Sequence, residues 1–523
     1  MKPPFTLSLA EVARELPGGA QIQGDASVRV SGVQQDSRRV DTGDLFVARS
    51  GAQTSGADFI EDARARGAVA LLADSDTVAP EGLPVLRVED VPGALAFAAA
   101  AVYGHPSFSL DVVGITGTNG KSTTTHLVRA LIDGALGGPR CAIVGTLGHE
   151  YDGATFPATH TTPESDELAR VLASFRDRGA SHVAMEVSSI ALAKQRVSAT
   201  RFRVAAFTNL TQDHLDFHGT MDRYGASKAA LFLECAPGAA VVNVDDAFGR
   251  ELARQVRASL VRVSIRSASE SDAEIAPKAV ELSDRGIRAT LRTPRGDVAL
   301  ASPLVGVYNL ENLLVAVGVA FALDLDLRAA SLGLVNEKGP RGRLERCEGP
   351  DDDITVIVDY AHTPDALARS LDAVRAATRG GVLCVFGCGG DRDTTKRAPM
   401  GRAAAARAEV VIVTNDNPRG EAPTVIVRQI VDGIRSTNML AMDSVELARQ
   451  GRGYLVELDR ARAIECAILG ARSGDVVLVA GKGHETYQLV GSERYDFEDR
   501  GEAERALASR RRVRGIRAGS TAR

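Results

Sequence analysis

The chain predicts an α/β protein built as three successive blocks, and three observations lead there. Short β-branched runs alternate with helical patterns along most of the length, as in strands joined by crossover helices. Several runs end directly in polar, Gly- or Asp-rich loops, among them "VVGITGTNG", "VLCVFGCGGD", "VIVTNDNPR" and "VVLVAGKGHE". Strand carboxyl ends of that kind form the binding rim of a doubly wound sheet. Finally, the 523 residues exceed what one core fills, so roughly two to four domains are expected.

The first block, residues 1–107, carries short alternating strands and one clear helical pattern, "DFIEDARARGA" at 58–68. "YGHPS" at 103–107 reads as a linker. The second block, 108–338, opens on "LDVVGIT" and continues through "CAIVGT", "SHVAMEVSS", "VAAFTNL" and "AAVVNVDD" with helices between. The third, 339–500, begins near "GPRGRLERC" and repeats the style in "ITVIVDY", "GVLCVFGCGG", "EVVIVTND" and "DVVLVAGKG". From 501 to 523 the chain becomes a basic tail, including "RRRVR", expected to be solvated and disordered.

Bulk properties narrow the function classes. With 44% hydrophobic and 25% charged residues the composition suits a globular protein with large cores. The net charge of −5 gives no general attraction to nucleic acid. The longest apolar stretch, "ALAFAAAAVY" at 94–103, is far short of the ~20 residues a membrane helix needs. The N-terminal "MKPPFTLSLAEVARELPGG" is interrupted by Glu11, Arg14 and Glu15, unlike a signal peptide. Six scattered cysteines lack paired spacing, and Cys384 and Cys388 read as reduced core thiols. A cytoplasmic protein with neither nucleic-acid binding nor membrane insertion is expected.

"VVGITGTNGKSTTTHLVRALI" at 112–132 reads as strand, Gly-rich turn and helix. Backbone N–H groups of such a turn, with the helix N-terminus, cradle phosphates. Gly117, Thr118, Asn119 and Gly120 would form the cradle and Lys121 would reach the terminal phosphates. The hydroxyl of Ser122 or Thr123 would meet Mg²⁺. The spacing departs from the standard phosphate loop: Ile115 stands where a glycine is usual, and Gly114 comes one position early. This makes the second block a P-loop ATPase-like parallel-sheet domain, flanked by a small N-terminal α/β domain and a C-terminal Rossmann-like domain.

Several other stretches carry chemistry-bearing residues. Glu186 and His214 stand after buried strand runs and have ligand-type side chains, although a loop histidine satisfied by hydrogen bonds would look the same. Tyr224 and Lys228 lie four apart in "RYGASKAALF", on one helix face. Asn309 and Asn312 are three apart at the start of a helical pattern, and Asp359 ends "VIVDY". Helix capping is an alternative for those three. In "VIVTNDNPRGEAP" a turn explains Asn, Asp and Pro but not Arg419, which is either solvated or a socket for a carboxylate.

"TGTNGKST" resembles the nucleotide loop of the Mur ligases and the related folylpolyglutamate synthases. "TTP" at 161–163, "MEVSS" at 185–189, "TNLTQDHLDFHGTMDRYGASKAALF" at 208–232, "NLENLLVA" at 309–316 and "GRLE" at 342–345 follow in the family's order. So do "VDYAHTPDAL" at 358–367, "GCGGDRDTTKR" at 387–397, "DNPR" at 416–419 and "GKGHE" at 481–485. With "DSRRVDTGDLFVA" at 36–48, the resemblance covers roughly residues 36–500.

The resemblance implies an ATP-dependent, ADP-forming amide ligase with Mg²⁺, acting through an acyl phosphate in peptidoglycan precursor synthesis. The implied substrates are UDP-MurNAc-dipeptide and diaminopimelate, taken as the meso form although the motif does not separate meso from LL. A lysine-adding or a folylpolyglutamate synthase-like ligase is the alternative. Lys121, Lys228 (as a carbamate), Glu186 and His214 would be catalytic, with Ser122, Glu186, His214 and Lys228 around metal. Asn309, Asn312, Arg343 and Asp359 would meet ATP. Ser37 and Arg38 would meet the UDP part, and Thr161, Thr162, Ser188 and Arg196 the peptide. Arg392, Asp416, Asn417, Arg419, Gly481 and Glu485 would bind diaminopimelate, and "DNPR" is the family's mark for that amino acid over lysine. A monomer is expected. The sequence departs from the family at Ile190, where His is usual, at Lys194 and Gln212, where Gln and Arg are common, and at Arg341, which replaces the Pro of "PGR".

Overall fold

A computed structural model describes residues 6–49, 51, 55–283, 286–349, 351–376, 378–443 and 452–515. Among the described residues three largely parallel sheets are strung along the chain, each buried on both faces. In the first, Gln21–Gln23, Val85–Arg87, Ala70–Ala73, Asp44–Val47 and Gly32–Gln34 lie in that spatial order, all parallel except the antiparallel Gln21–Gln23 edge. Successive strand residues point to opposite faces. Accordingly Leu45 and Val47 join one core with Leu95 and Ala98 of the helix Val91–Val102, while Phe46 joins another with Ile60 and Ala63.

The central sheet has eight strands. Its parallel part runs Cys141–Gly145, His182–Glu186, Asp111–Thr116, Val204–Phe207, Ala239–Asn243 and Ser259–Val263. An antiparallel hairpin, Gly148–Tyr151 and Ala154–Phe156, extends one edge. Continuous apolar runs are what two-sided burial demands. Val113 and Ile115 pack with the helices Lys121–Leu136 and Val307–Ala322, whereas Val112 packs on the other face with Leu168 and Phe175. A three-stranded antiparallel meander, Ala276–Ser283, Gly286–Thr293 and Gly296–Ser302, packs Leu291, Val298 and Leu300 into the first of these cores. Sequence reasoning did not anticipate that meander.

The third sheet runs Glu345–Arg346, Thr355–Asp359, Val476–Ala480, Val382–Phe386, Val410–Val413 and Gly453–Val456, parallel apart from the Glu345–Arg346 edge. Its helices include Arg397–Arg407 and Pro423–Arg435. Cys384 and Cys388 are buried free thiols, as expected.

The expectation of a disordered tail over 501–523 is corrected for its first part. Asp499–Arg514 is a helix that places Ala503, Ala506 and Leu507 in the core behind the third sheet. Arg510 is 1% exposed and makes a bidentate pair with Asp353 at 2.7 and 2.9 Å, plus bonds to the carbonyls of Ile468 and Ala471. Arg511 pairs with Asp352 and Arg514 with Asp353. Three of the four arginines that read as a solvated cluster are therefore matched to carboxylates of "DDD", distant in sequence. Residues 444–451 and 516–523 lie outside the described residues.

Candidate active site

The phosphate loop sits at the carboxyl end of the strand Asp111–Thr116, in the middle of the central sheet. Gly117 and Gly120 have φ of 150° and 86°, where glycine alone is unstrained. A Cβ on Gly117 would run into Thr208 Oγ1, and one on Gly120 into Asn312 Oδ1. Gly114 answers to packing instead: a Cβ there would lie 2.7 Å from the Phe202 ring, which accounts for the displaced glycine spacing. Asn209 braces the loop from beneath, accepting Thr118 N–H on its carbonyl at 2.8 Å and Asn119 N–H on Oδ1 at 2.9 Å. The helix Lys121–Leu136 then starts with N–H groups that lack intrahelical partners, at the positive end of its dipole.

Lys121 Nζ donates to the carbonyls of Gly117 and Thr118, both at 2.9 Å, and burial pushes its pKa down. Ser122 Oγ donates to Glu186 Oε1 at 3.0 Å, and Thr146 N–H reaches the same oxygen at 2.8 Å. Glu186 ends the neighbouring strand His182–Glu186, so sheet register sets this hydroxyl–carboxylate pair. Lys228, 1% exposed on the helix Met221–Leu233, donates to the Gly117 carbonyl at 2.9 Å and lies 4.4 Å from the Tyr224 ring centroid. Both lysines thus converge on one carbonyl oxygen. Burial first, and Lys121 second, drive the Lys228 amine well below the usual lysine range.

His214 has φ of 51° and faces Asp213 at 3.5 Å; burial lowers its pKa and Asp213 opposes that. Among the described residues no group of three or more His, Cys, Asp and Glu side chains converges as a metal site. Only Glu186 and His214 of the expected ligands belong to those types. The Ser122 hydroxyl and Glu186 carboxylate, hard oxygen donors beside the phosphate loop, nevertheless fit Mg²⁺.

A cavity of about 220 Å³ opens over the loop, lined by Thr118–Thr123, Glu186, Asn309, Asn312, Arg343 and Asp359. Asn309 and Asn312 lie inside the helix Val307–Ala322, whose N-cap is Gly306, so neither caps it. Asn309 Nδ2 donates to the Val305 carbonyl at 2.8 Å, and Asn312 bridges to Asn309 and Thr124. Asp359 accepts from Leu344 N–H at 3.1 Å and Ser370 Oγ at 2.5 Å; burial raises its pKa, with Ser370 and Arg343 opposing. Arg343 stacks 4.3 Å from the Tyr360 ring centroid. Both central and third blocks therefore wall the cavity.

A second cavity of about 750 Å³ adjoins the first, sharing Asp213, His214, Tyr360, His362 and Thr363 with it. The structure brings Arg392, Asp416, Asn417, Arg419, Gly481 and Glu485 together on its wall. They come from loops after three strands of the third sheet, Val382–Phe386, Val410–Val413 and Val476–Ala480. Arg419 has φ of 51° and donates to the Gly390 carbonyl at 2.9 Å. Asn417 is engaged internally: Nδ2 donates to Glu485 at 2.8 Å, while Oδ1 accepts from Lys482 Nζ and Leu489 N–H. Ile190 and Gln212, two of the departures from the family pattern, also line this cavity.

Of the expected acceptor residues, Thr161 lines the first cavity and accepts from Thr146 Oγ1 at 3.1 Å. Thr162 is buried and ties the Glu186 carbonyl to Ser188 N–H. Arg196, 4% exposed, holds the Thr162 carbonyl and Glu164. Ser37 and Arg38 sit on a short helical turn of the first block outside both cavities, Arg38 paired with Asp36.

Sequence reasoning missed Lys482 and His362. Lys482 is fully buried in an ion pair with Glu485 at 3.0 Å; it lies inside the quoted "GKGHE". His362, three residues after Asp359 in "VDYAHTPDAL", lines both cavities. Its Nδ1–H donates to the Tyr360 carbonyl, and burial with nearby Lys396 pushes its pKa down to about 4.

Three family models match the chain: "Mur ligase family, catalytic domain" over residues 29–103, "Mur ligase middle domain" over 115–320 and "Mur ligase, glutamate ligase domain" over 342–483. A UDP-N-acetylmuramoyl-L-alanyl-D-glutamate–2,6-diaminopimelate ligase of Gloeobacter violaceus is 46% identical over 490 residues, covering 93% of this chain and 96% of that protein. Its namesake in Geobacter metallireducens is 43% identical, covering 96% and 98% respectively. A solved structure of a ligase of the same name matches with a TM-score of 0.68 at 30% identity, over 97% of this chain and 99% of the other.

Proposed function

The chain belongs to the Mur ligase family, and we infer that it is an ATP-dependent, ADP-forming ligase joining 2,6-diaminopimelate to UDP-N-acetylmuramoyl-L-alanyl-D-glutamate. One observation carries the choice of amino acid: Arg392, Arg419 and Glu485 converge on a cavity that adjoins the phosphate-loop cavity. A zwitterionic end group needs a planar bidentate donor for its carboxylate and an acid for its ammonium. Arginine and glutamate supply both.

Amide formation from a free carboxylate requires activation. The γ-phosphoryl group passes from ATP to a carboxylate oxygen of the acceptor's glutamate, ADP leaves, and the acyl phosphate becomes the electrophile. The amine of diaminopimelate attacks its carbonyl carbon, loses a proton, and phosphate departs. ATP and the acceptor carboxylate are anionic, so fixed positive charge governs the barrier. Lys121 and the N-terminus of the helix Lys121–Leu136 supply it at the β- and γ-phosphates. Asn309, Asn312, Arg343 and Asp359 hold the nucleotide between the blocks. Thr161, Thr162, Ser188 and Arg196 shape the acceptor side, and Ser37 and Arg38 reach its UDP part on domain closure.

Ser122, Glu186, His214 and Lys228 would hold Mg²⁺, which would add charge at the transferring phosphoryl oxygens. Lys228 serves there as a carbamate. Its burial and the neighbouring Lys121 favour the neutral amine, the form that attacks CO₂. Carbamylation replaces a cation that would repel metal with an anionic oxygen donor.

A cytoplasmic, monomeric enzyme completes this assignment. The free cysteines accord with a reducing compartment, and no described helix is long and apolar enough to cross a membrane. Purified protein with ATP, Mg²⁺ and UDP-MurNAc-L-Ala-D-Glu should release ADP when diaminopimelate is added and far more slowly with lysine. Equal rates with lysine would remove the amino-acid assignment. ADP release independent of any amine would remove the ligase.

A further inference from the structure

We propose that an ion pair outside both cavities, between the buried Arg397 and the partly exposed Glu421, is a positioning device that sets the spacing of Arg392 and Arg419 and thereby the selection of the amino acid; this rests on the diaminopimelate assignment above. Arg397 opens the helix Arg397–Arg407 and is fully buried, and neither it nor Glu421 lines a cavity. Its guanidinium makes a fork on Glu421 at 2.8 and 2.9 Å and also donates to Gln429 Oε1 at 2.8 Å. The remaining bond runs to the Gly389 carbonyl at 3.1 Å.

Gly389 is the pivot. A Cβ on it would lie 2.9 Å from Arg419 Nη1 and 3.8 Å from Arg392 Cγ, so both ligand arginines pass beside it. Glu421 grips the same strip of chain from the other side, accepting Asp391 N–H at 2.7 Å. Gly390 N–H to the Asn417 carbonyl, Arg419 to the Gly390 carbonyl and Gly420 N–H to Asp391 complete the seam, each at 2.9 Å. The loop bearing Arg392 and the loop bearing Arg419 are thus sewn together, and Arg397–Glu421 is the anchor connecting the seam to the helices behind it. Among the described residues Arg397 Nε has no hydrogen-bond partner, while Nη1 and Nη2 share four bonds. Its geometry serves the Gly389 carbonyl and the carboxylate together, a demand lysine cannot meet in full.

The test compares Arg397→Met, Arg397→Lys and the milder Glu421→Gln with wild type, measuring KM for diaminopimelate, ATP and acceptor, and the ratio of kcat/KM for diaminopimelate over lysine. Displacing binding groups by about 1 Å costs up to ~10²-fold. Arg397→Met should therefore raise the diaminopimelate KM at least roughly tenfold and lower the selectivity ratio similarly. KM for ATP should stay within about twofold, because the phosphate loop lies on another sheet. Arg397→Lys and Glu421→Gln should fall between. If wild type does not discriminate against lysine, the amino-acid assignment fails. If wild type discriminates and all folded variants keep its ratio, or if all three KM values rise together, the positioning role fails. Should Arg397→Met not fold, Glu421→Gln, which keeps an acceptor for Asp391 N–H, decides the matter alone.

Discussion

Replacing Arg419 by alanine tests the proposal that its guanidinium distinguishes diaminopimelate from lysine. The backbone of Arg419 is held independently of its side chain: its N–H bonds the Leu489 carbonyl at 3.2 Å, and its carbonyl accepts Gly491 N–H at 2.8 Å. Alanine inherits the same φ of 51°, so strain is common to both proteins. Within the protein the side chain loses only its bond to the Gly390 carbonyl. On the proposed assignment it would also lose a two-bond contact to the ligand carboxylate, each charge-assisted bond contributing about 1.5–3 kcal/mol. Arg419 is half-buried, so solvent screening favours the lower end, a total near 3 kcal/mol or roughly 10²-fold. Steady-state kinetics with coupled ADP detection should show kcat/KM for diaminopimelate falling by about that factor, mostly in KM. Activity with lysine should hold or rise, because no guanidinium is left without its carboxylate. An unchanged diaminopimelate KM would return Arg419 to a solvated turn residue and refute the reasoning.

Three further outcomes follow from the geometry. Gly120→Ala forces a Cβ toward Asn312 Oδ1 at φ of 86°, so KM for ATP should rise about tenfold or more, with a strain cost of about 1–3 kcal/mol read by denaturant unfolding. Lys228→Ala should reduce kcat at least ~10²-fold, and ¹³C-bicarbonate should give a carbamate NMR signal in wild type that the variant lacks; wild-type kcat in the variant would contradict the assignment. Arg510→Met leaves the carbonyls of Ile468 and Ala471 without that donor and Asp353 with Arg514 as its remaining arginine, and should cost about 3 kcal/mol by denaturant unfolding with KM values unchanged below the transition.

What could be read from the sequence divides along physical lines. Strand runs such as "VLCVF" and "VVLVA" carry their own signal, because both faces are buried and every residue is apolar. The loops after them are legible because phosphate and carboxylate binding demand particular residues at fixed spacing. The meander Ala276–Ser302 was overlooked because its strands hold polar residues on the outer face, as at Arg288 and Arg292 of Gly286–Thr293, and resemble loop. Buried charges were the other blind spot. Arg397, Arg460 and Arg510 look solvated in one dimension; their partners Glu421, Asp499 and Asp353 become neighbours only on folding. Asn417 illustrates the remaining limit. Its motif marks it as a binding residue, whereas in the fold its amide bonds Glu485 and Lys482, which it meets only through the adjoining strand-end loops.

The central claim is that the two adjoining cavities perform one reaction, in which the phosphoryl group passes through the acceptor's carboxylate. Acceptor labelled with ¹⁸O in its glutamate carboxylate tests it most directly, with mass spectrometry of the phosphate released during turnover with diaminopimelate. The account predicts one ¹⁸O atom carried from the carboxylate into each phosphate, in step with amide formed. Phosphate that carries no ¹⁸O would contradict it.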